Sequence, residues 1–421
     1  MVEPRLLSTA DPKQVQPLHP VPPVHPPHPV HPVPTAQEAA LHYPLGDTLP
    51  EPGRCIEVAP GVHWLRMQLP FALNHINLWL LRDVQDGVQG WSIVDCGISN
   101  DATRAHWEQL FAHQLQGLPV LRVIVTHMHP DHMGLAHWLC ERWSTPERAC
   151  RLWISSTDWN AARVACQSDS AFGGDGAARF FALHGLTDPQ ALAQVQGRNN
   201  YYAGMVPQVP QEYRRLLHGM VLTINGLPWR CIVGYGHAPE HMALFCPDLR
   251  GVGHVEGAAV GEAINGETGD ETGEEAKSAG GVLISGDMVL PRISTNVSVI
   301  NLEPEASPLP LFLNSIAKMK ALPANTLVLP SHGKPFTGLH TRIEQLLQHH
   351  QERYADVLAA CKQQPGSAFD MLPVLFKRSL DLHQTTFAMG ESIAHLHGLL
   401  EDGLVHKTLG ADGVLRFQTA D

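Results

Sequence analysis

A chain of 421 residues, 44% of them hydrophobic, holds apolar material for two or three domains with sizeable cores. Its formal net charge of −12 offers no electrostatic attraction to nucleic acid or to an anionic membrane surface. Eight cysteines without a C-x-x-C pair or disulfide-like spacing, no signal-type apolar core after Met1 and no apolar run of membrane length lead to the expectation of a cytoplasmic protein with reduced thiols.

The chain opens on a tail. From Gln16 to Pro34 it reads QPLHPVPPVHPPHPVHPVP, and proline at this density removes backbone donors and favours polyproline II. Residues 1–52 are therefore expected to be a disordered Pro/His-rich segment outside the fold, with ordered sequence starting near Cys55. Runs at Ile56–Gln68, His75–Leu81 and Trp91–Asp95 predict strands, the last ending in Val94-Asp95-Cys96-Gly97. Asp101–Leu115 has helical spacing. Val120–Val125 is a compact β-branched run of buried-strand type that ends directly in Thr126-His127. A helix is predicted to open at Asp131 and to run through His137 to Arg142.

Thr157–His218 reads as helical and irregular, and strands resume at Met220–Ile224, Trp229–Tyr235, Met242–Phe245 and Gly281–Ser285. Residues 249–280 are rich in Gly, Glu and Ala with almost no large apolar side chain, which predicts a disordered acidic insertion. A last strand, Thr326–Leu329, leads into Pro330-Ser331-His332-Gly333. From about His340 the spacing turns helical, over Thr341–Cys361, Phe369–Ser379 and Thr386–Asp402. Gly403 stops the third helix, and Leu404–Thr408 with Gly413–Phe417 reads as a small hairpin. Three helices and a hairpin predict a winged-helix-like domain over 341–421, behind a main domain over 53–340.

Twenty-six histidines is a high count, so their placement matters. Thr126-His127-Met128-His129-Pro130-Asp131-His132 sets three histidines and one carboxylate within six positions, immediately after a strand. They converge only if the backbone turns sharply there, and imidazole nitrogen with carboxylate oxygen suits a borderline ion such as Zn²⁺. Three later strand ends repeat the pattern: Gly236-His237-Ala238-Pro239-Glu240-His241, Gly286-Asp287 and Ser331-His332-Gly333. Each places one ligand-capable residue beside a glycine, where the backbone can approach a site closely.

The ordered series T-H-x-H-x-D-H, G-H-x-x-x-H, S-G-D and H-G resembles that of the metallo-β-lactamase superfamily, with Val94-Asp95-Cys96-Gly97 matching its leading Asp motif. The likeness extends over about Cys55 to Thr337. It implies a four-layer αββα sandwich of the α/β class with the winged-helix-like end appended, and a site at one edge between the two sheets. It also implies two divalent ions, zinc first, with Mn²⁺ or Fe²⁺ compatible. On this resemblance His127, His129 and His237 hold one ion, Asp131, His132 and His332 the other, and Asp287 bridges them. Asp95 steers a ligand histidine by hydrogen bonding, and His241 is structural. Two divalent ions bring about +4 and Asp131, Asp287 and a bridging hydroxide remove about three, leaving an excess that lowers the pKa of bound water. The hydroxide is then expected to attack a carbonyl or phosphoryl centre, with Asp131 moving the proton.

Asp287 and His132 resemble the glyoxalase II-like, lactamase-β-like branch, which implies an ester or thioester substrate such as an acyl-thioester or a lactone. A metal-dependent ribonuclease is one alternative. A mononuclear iron sulfur dioxygenase using only His127, His237 and Asp287 is another. Thr341 to Asp421 carries seven Lys/Arg against ten Asp/Glu, so nucleic-acid binding by the C-terminal end is disfavoured. A packing role is expected there instead, closing one wall of the site or making a homodimer contact. The partner is expected to be a small anionic substrate. Arg292 and Tyr202 are the candidate contacts, with Tyr201, Arg214 and Arg215 behind them.

Overall fold

A computed structural model describes residues 36–71, 73–168, 172–249 and 280–420. The tail up to residue 35 and the insertion over 250–279, both expected to be disordered, lie outside the described residues. Ordered structure begins before the expected Cys55. A short helix α1 (Ala36–Ala39) is followed by the buried Leu41, and His42 exchanges backbone hydrogen bonds with Thr337.

The first half of the chain builds one sheet. Strands β1 (Ile56–Ala59), β2 (Val62–Gln68), β3 (His75–Gln85) and β4 (Val88–Val94) pair antiparallel in sequence. The single run predicted over Ile56–Gln68 is thus two strands, parted at Gly61, whose φ of +73° suits glycine. Helix α2 (Asp101–His113) crosses to β5 (Val120–Ile124), which pairs parallel with β4. The predicted helix at Asp131 is two pieces, α3 (Pro130–Met133) and α4 (Ala136–Trp143). Then β6 (Arg151–Ile154), helices α5 (Ser156–Gln167), α6 (Gly174–Leu183) and α7 (Pro189–Gln196), and β7 (Tyr213–Arg215) complete a seven-stranded sheet.

The second sheet has five strands in the order β12-β11-β10-β9-β8. They are β8 (Val221–Ile224), β9 (Leu227–Gly234), β10 (His241–Cys246), β11 (Val282–Gly286) and β12 (Leu327–Pro330). Between β11 and β12 lies α8 (Pro308–Lys318), for which no helix is predicted from sequence. The chain ends in α9 (Leu339–Gln363), a short α10 (Leu372–Leu375) in place of the predicted Phe369–Ser379, α11 (Leu382–Glu401) and a hairpin of β13 (Val405–Leu409) and β14 (Leu415–Thr419).

Strand alternation explains the layering. In β3, Ile76, Leu78 and Leu80 point to one face, against Trp107 and Leu110 of α2, while Trp79 and Leu81 point to the other. In β10, Met242 and Leu244 meet Trp64 and Trp79 of the first sheet, while Ala243 and Phe245 face Phe312 of α8. Both sheets are therefore buried on two faces, and the result is helices, sheet, sheet, helices. The C-terminal helices share the outer core of the second sheet, where Leu346 of α9 and Ile393 and Leu396 of α11 join Phe245, Leu283 and Val328. No helix among the described residues is long and apolar enough to cross a membrane.

This topology gathers strand ends at one edge. β4 runs parallel to β5 and β11 parallel to β12. The two sheets join there through Met242 N donating to Thr126 O at 2.8 Å and Asn77 N donating to Ser331 O at 2.7 Å.

Candidate metal centre

The segments following β5, β9, β11 and β12 bring seven donor residues together. His127, His129 and His237 form one triad, Asp131, His132 and His332 another, and His127, His132 and Asp287 a third; within each, the donor atoms lie within 4.8 Å of one another. In the first triad the separations are 2.9 Å for His127 Nε2 to His129 Nδ1, 3.1 Å for His129 Nδ1 to His237 Nε2, and 3.2 Å for His237 Nε2 to His127 Nε2. A tetrahedral ion bound to nitrogen at about 2.0–2.1 Å sets its ligands about 3.3 Å apart, close to this triangle. Asp287 spans the two sets. Its Oδ2 is 3.3 Å from His237 Nε2, while its Oδ1 is 3.6 Å from His132 Nε2 and 3.5 Å from His332 Nε2.

The atoms behind the cluster fix which nitrogen faces it. His237 Nδ1 donates to Asn296 O at 2.7 Å, His332 Nδ1 to His75 O at 2.7 Å, and His132 Nδ1 to Asp95 Oδ2 at 2.8 Å. With Nδ1 protonated, each Nε2 carries a lone pair toward the centre. His132 Nε2 and Asp287 Oδ1 are buried without a hydrogen-bond partner. Orphaned donors in a nitrogen and carboxylate cage are what a divalent ion satisfies, so the residues fit the group. Asp95 also accepts from Thr126 N at 2.8 Å and from Thr126 Oγ1 at 3.0 Å, which ties the start of the histidine loop to the end of β4. It sits at a φ of +62°, a conformation held by those bonds.

The sequence pattern described as "Metallo-beta-lactamase superfamily" matches residues 73–252, and that of the metallo-beta-lactamase-like C-terminal domain matches 354–420. A crystal structure of a beta-lactamase domain protein from Burkholderia ambifaria is 49% identical and superposes with a TM-score of 0.79, over 92% of this chain and 100% of that one. The chain belongs to the metallo-β-lactamase superfamily. A metallo-beta-lactamase family protein from Thermus thermophilus is 25% identical, with a TM-score of 0.62 over 86% of this chain and 99% of that one. The probable metallo-hydrolase YqjP of Bacillus subtilis (strain 168) is 24% identical over 347 residues, 79% of this chain and 90% of its own. This member of the superfamily is accordingly a metallo-hydrolase with a His/Asp cluster suited to metal.

Free of metal, the superfamily cluster balances its charge with protons. Burial alone would depress His332, but Asp287 and Asp131 beside it outweigh burial and raise it to about 10. His132 is raised by Asp95, Asp131 and Asp287 against the same burial cost. Asp131, despite burial, is lowered to about 2 by His132 and His332. His129 is pushed down to about 3 by burial and by His237, which keeps its ring neutral and able to donate a lone pair.

The substrate candidates need correction. Tyr202 is 1% exposed, and its hydroxyl donates to Met128 O at 2.5 Å. It braces the loop between His127 and His129 from behind and does not meet a substrate. The next residue back, Tyr201, is half-buried with its hydroxyl 2.9 Å from His383 Nε2. Arg292 is exposed and pairs with Glu38 of α1 at 3.8 Å, outside the donor cluster. Arg214 stacks over Trp153 at the edge of the first sheet.

Four positioning residues are absent from the sequence reading. Asp158 accepts from Met128 N at 2.8 Å, Glu240 N at 2.7 Å and Ser155 Oγ at 3.0 Å, so it joins two donor-bearing loops. Burial raises its carboxyl to about 6. Its signal was available as Ser155-x-x-Asp158, in which Ser155 caps α5 by accepting from Asp158 N. His75 accepts from Gly333 N at 2.9 Å, and Asn77 Nδ2 donates to Pro330 O and Gly333 O, so both hold the His332 turn. Asn296 acts through its backbone carbonyl, which no side-chain pattern reports. His241 Nε2 accepts from Asp287 N at 3.1 Å, a structural part.

Proposed function

We propose that this metallo-hydrolase cleaves esters or thioesters, an acyl-thioester or a lactone, with two divalent ions, zinc first. His127, His129 and His237 would hold one ion, and Asp131, His132 and His332 the other. The observation that carries the reading is Asp287, whose two oxygens face different histidine sets. When bound, such ions supply Lewis-acid activation of water and stabilise charge on an oxyanion.

The chain's own residues do the rest. Asp131 has the most exposed carboxylate of the cluster, 18% accessible against 10% for Asp287, and is held ionised. It is therefore placed to take a proton from water at the open side of the site. His132 and His332 are locked by Asp95 Oδ2 and His75 O and cannot turn away during turnover. A mononuclear iron site using only His127, His237 and Asp287 keeps the same histidine motif, and metal identity separates it from this reading. The glyoxalase II-like branch, the winged-helix reading of the C-terminal end and a small-molecule partner belong to the same proposal.

Thioester, lactone and RNA panels on purified protein test it, with Asp131→Asn and His129→Ala as probes. Hydrolysis of a thioester or lactone that both substitutions abolish supports the reading. Full activity in His129→Ala contradicts it.

A further inference from the structure

α11 presents a stripe toward the metal cluster. His383, Phe387 and Glu391 are four residues apart and so share one face of the helix. At the inner end Asn296 Nδ2 donates to Glu391 Oε2 at 3.4 Å, and the carbonyl of the same Asn296 accepts from His237. At the outer end His383 receives Tyr201 and stacks on Phe71, with ring centroids 5.9 Å apart and planes 6° from parallel. Between them Phe387 lies 5.0 Å from the His383 ring and remains 45% exposed, a large apolar face without cover. Close packing fixes the stripe: Val299 N donates to Gly390 O at 3.1 Å, and a Cβ on Gly390 would meet Ser298 Oγ at 2.6 Å.

Two further observations put this wall at the mouth of the cluster. Tyr201 adjoins Tyr202, whose hydroxyl braces Met128 between two of the donor histidines. The Tyr201 phenol, raised by burial and opposed by Arg198, also feels the charge of Asp131. The wall thus starts next to the brace under the histidine loop and ends behind His237.

We infer that Phe71, Tyr201, His383 and Phe387 form an aromatic wall that selects an aryl or long apolar acyl group on the substrate, with the scissile carbonyl at the donor cluster. The inference rests on the ester or thioester reading and deepens it. Aromatic faces gain from burying apolar surface and from ring–ring contact.

The test uses the full chain with phenylacetyl and acetyl thioesters of coenzyme A, and calorimetric binding of phenylacetate against acetate. Phe387→Ala should lower the phenylacetyl-to-acetyl ratio of kcat/KM by about tenfold, through KM rather than kcat. Phe387→Tyr should restore the ratio, and Leu409→Ala, an exposed apolar position in β13, should not move it. A ratio within twofold of wild type in Phe387→Ala overturns the inference. So does salt-sensitive RNA binding that Phe387→Ala abolishes, since the wall would then be stacking bases. Phenylacetate binding that depends on Phe387, without turnover of either thioester, would sustain the wall and sink the thioester reading.

Discussion

Tyr202→Phe isolates a single hydrogen bond under the histidine loop. The ring stays, so no cavity opens among Phe172, Met133 and the other side chains packed there. Only the hydroxyl that donates to Met128 O at 2.5 Å is lost. That carbonyl sits between His127 and His129 in the buried interior, and leaving such an acceptor unpaired costs about 1–3 kcal/mol. Urea unfolding of chelated protein should show the midpoint falling by that free energy divided by the slope, with the slope itself unchanged. Because the loosened carbonyl separates two donor histidines, competition against a metal-binding dye should also show affinity weakened by about tenfold. Tyr201→Phe is the control. Its hydroxyl is half-buried and bonded to His383, so stability should change by less than about 0.5 kcal/mol. Tyr202→Phe within about 0.5 kcal/mol of wild type, or Tyr201→Phe costing more than Tyr202→Phe, would refute the reasoning.

Asp287→Asn removes the charge that faces both histidine sets, and turnover should fall by about three decades, measured on the best substrate of the panel. In chelated protein His332 titrates near 10 when folded and 6.5 when unfolded, so the folded state keeps a proton that the unfolded chain has released. Its stabilisation is complete below pH 6.5 and is lost as the pH rises toward 10; thermal midpoints across that window should fall for chelated protein and flatten once metal is restored. Gly390→Ala would press a methyl to 2.6 Å from Ser298 Oγ and 3.2 Å from Val299 O, and overpacking of this kind costs about 1–3 kcal/mol. It should therefore lower the urea midpoint and, by displacing α11, raise KM for phenylacetyl substrates.

Much of the site was legible because it is local. The strand before His127 announces itself by β-branched residues followed by a histidine run, and a single ligand-capable residue beside a glycine marks His237, Asp287 and His332. The layered fold followed from the resemblance that this motif series carries, and the strands buried on both faces agree with it. What escaped depends on contacts between distant segments. Tyr201 and Tyr202 are equivalent in sequence, and only the packing of Tyr202 under Met128 tells the brace from the wall residue. Helix α8 opens on Pro308 and Pro310, which read as a loop, although proline is well placed in a first helical turn. The predicted helix Phe369–Ser379 shortened because the Asp370 carboxylate ties back to Ser367, leaving helical residues only at Leu372–Leu375. Residues 36–52 were assigned to the tail because of the prolines before them. Leu41 and the His42 bridge to Thr337 instead dock them on the sandwich.

Metal content decides the central claim, measured by elemental analysis on full-length wild type and on Asp287→Ala prepared in parallel. Histidines of the tail, such as His25 and His31, add the same background to both proteins, so the difference reports the cluster. The account predicts that wild type carries close to two more divalent ions per chain than the variant. Equal metal content in the two proteins would contradict it.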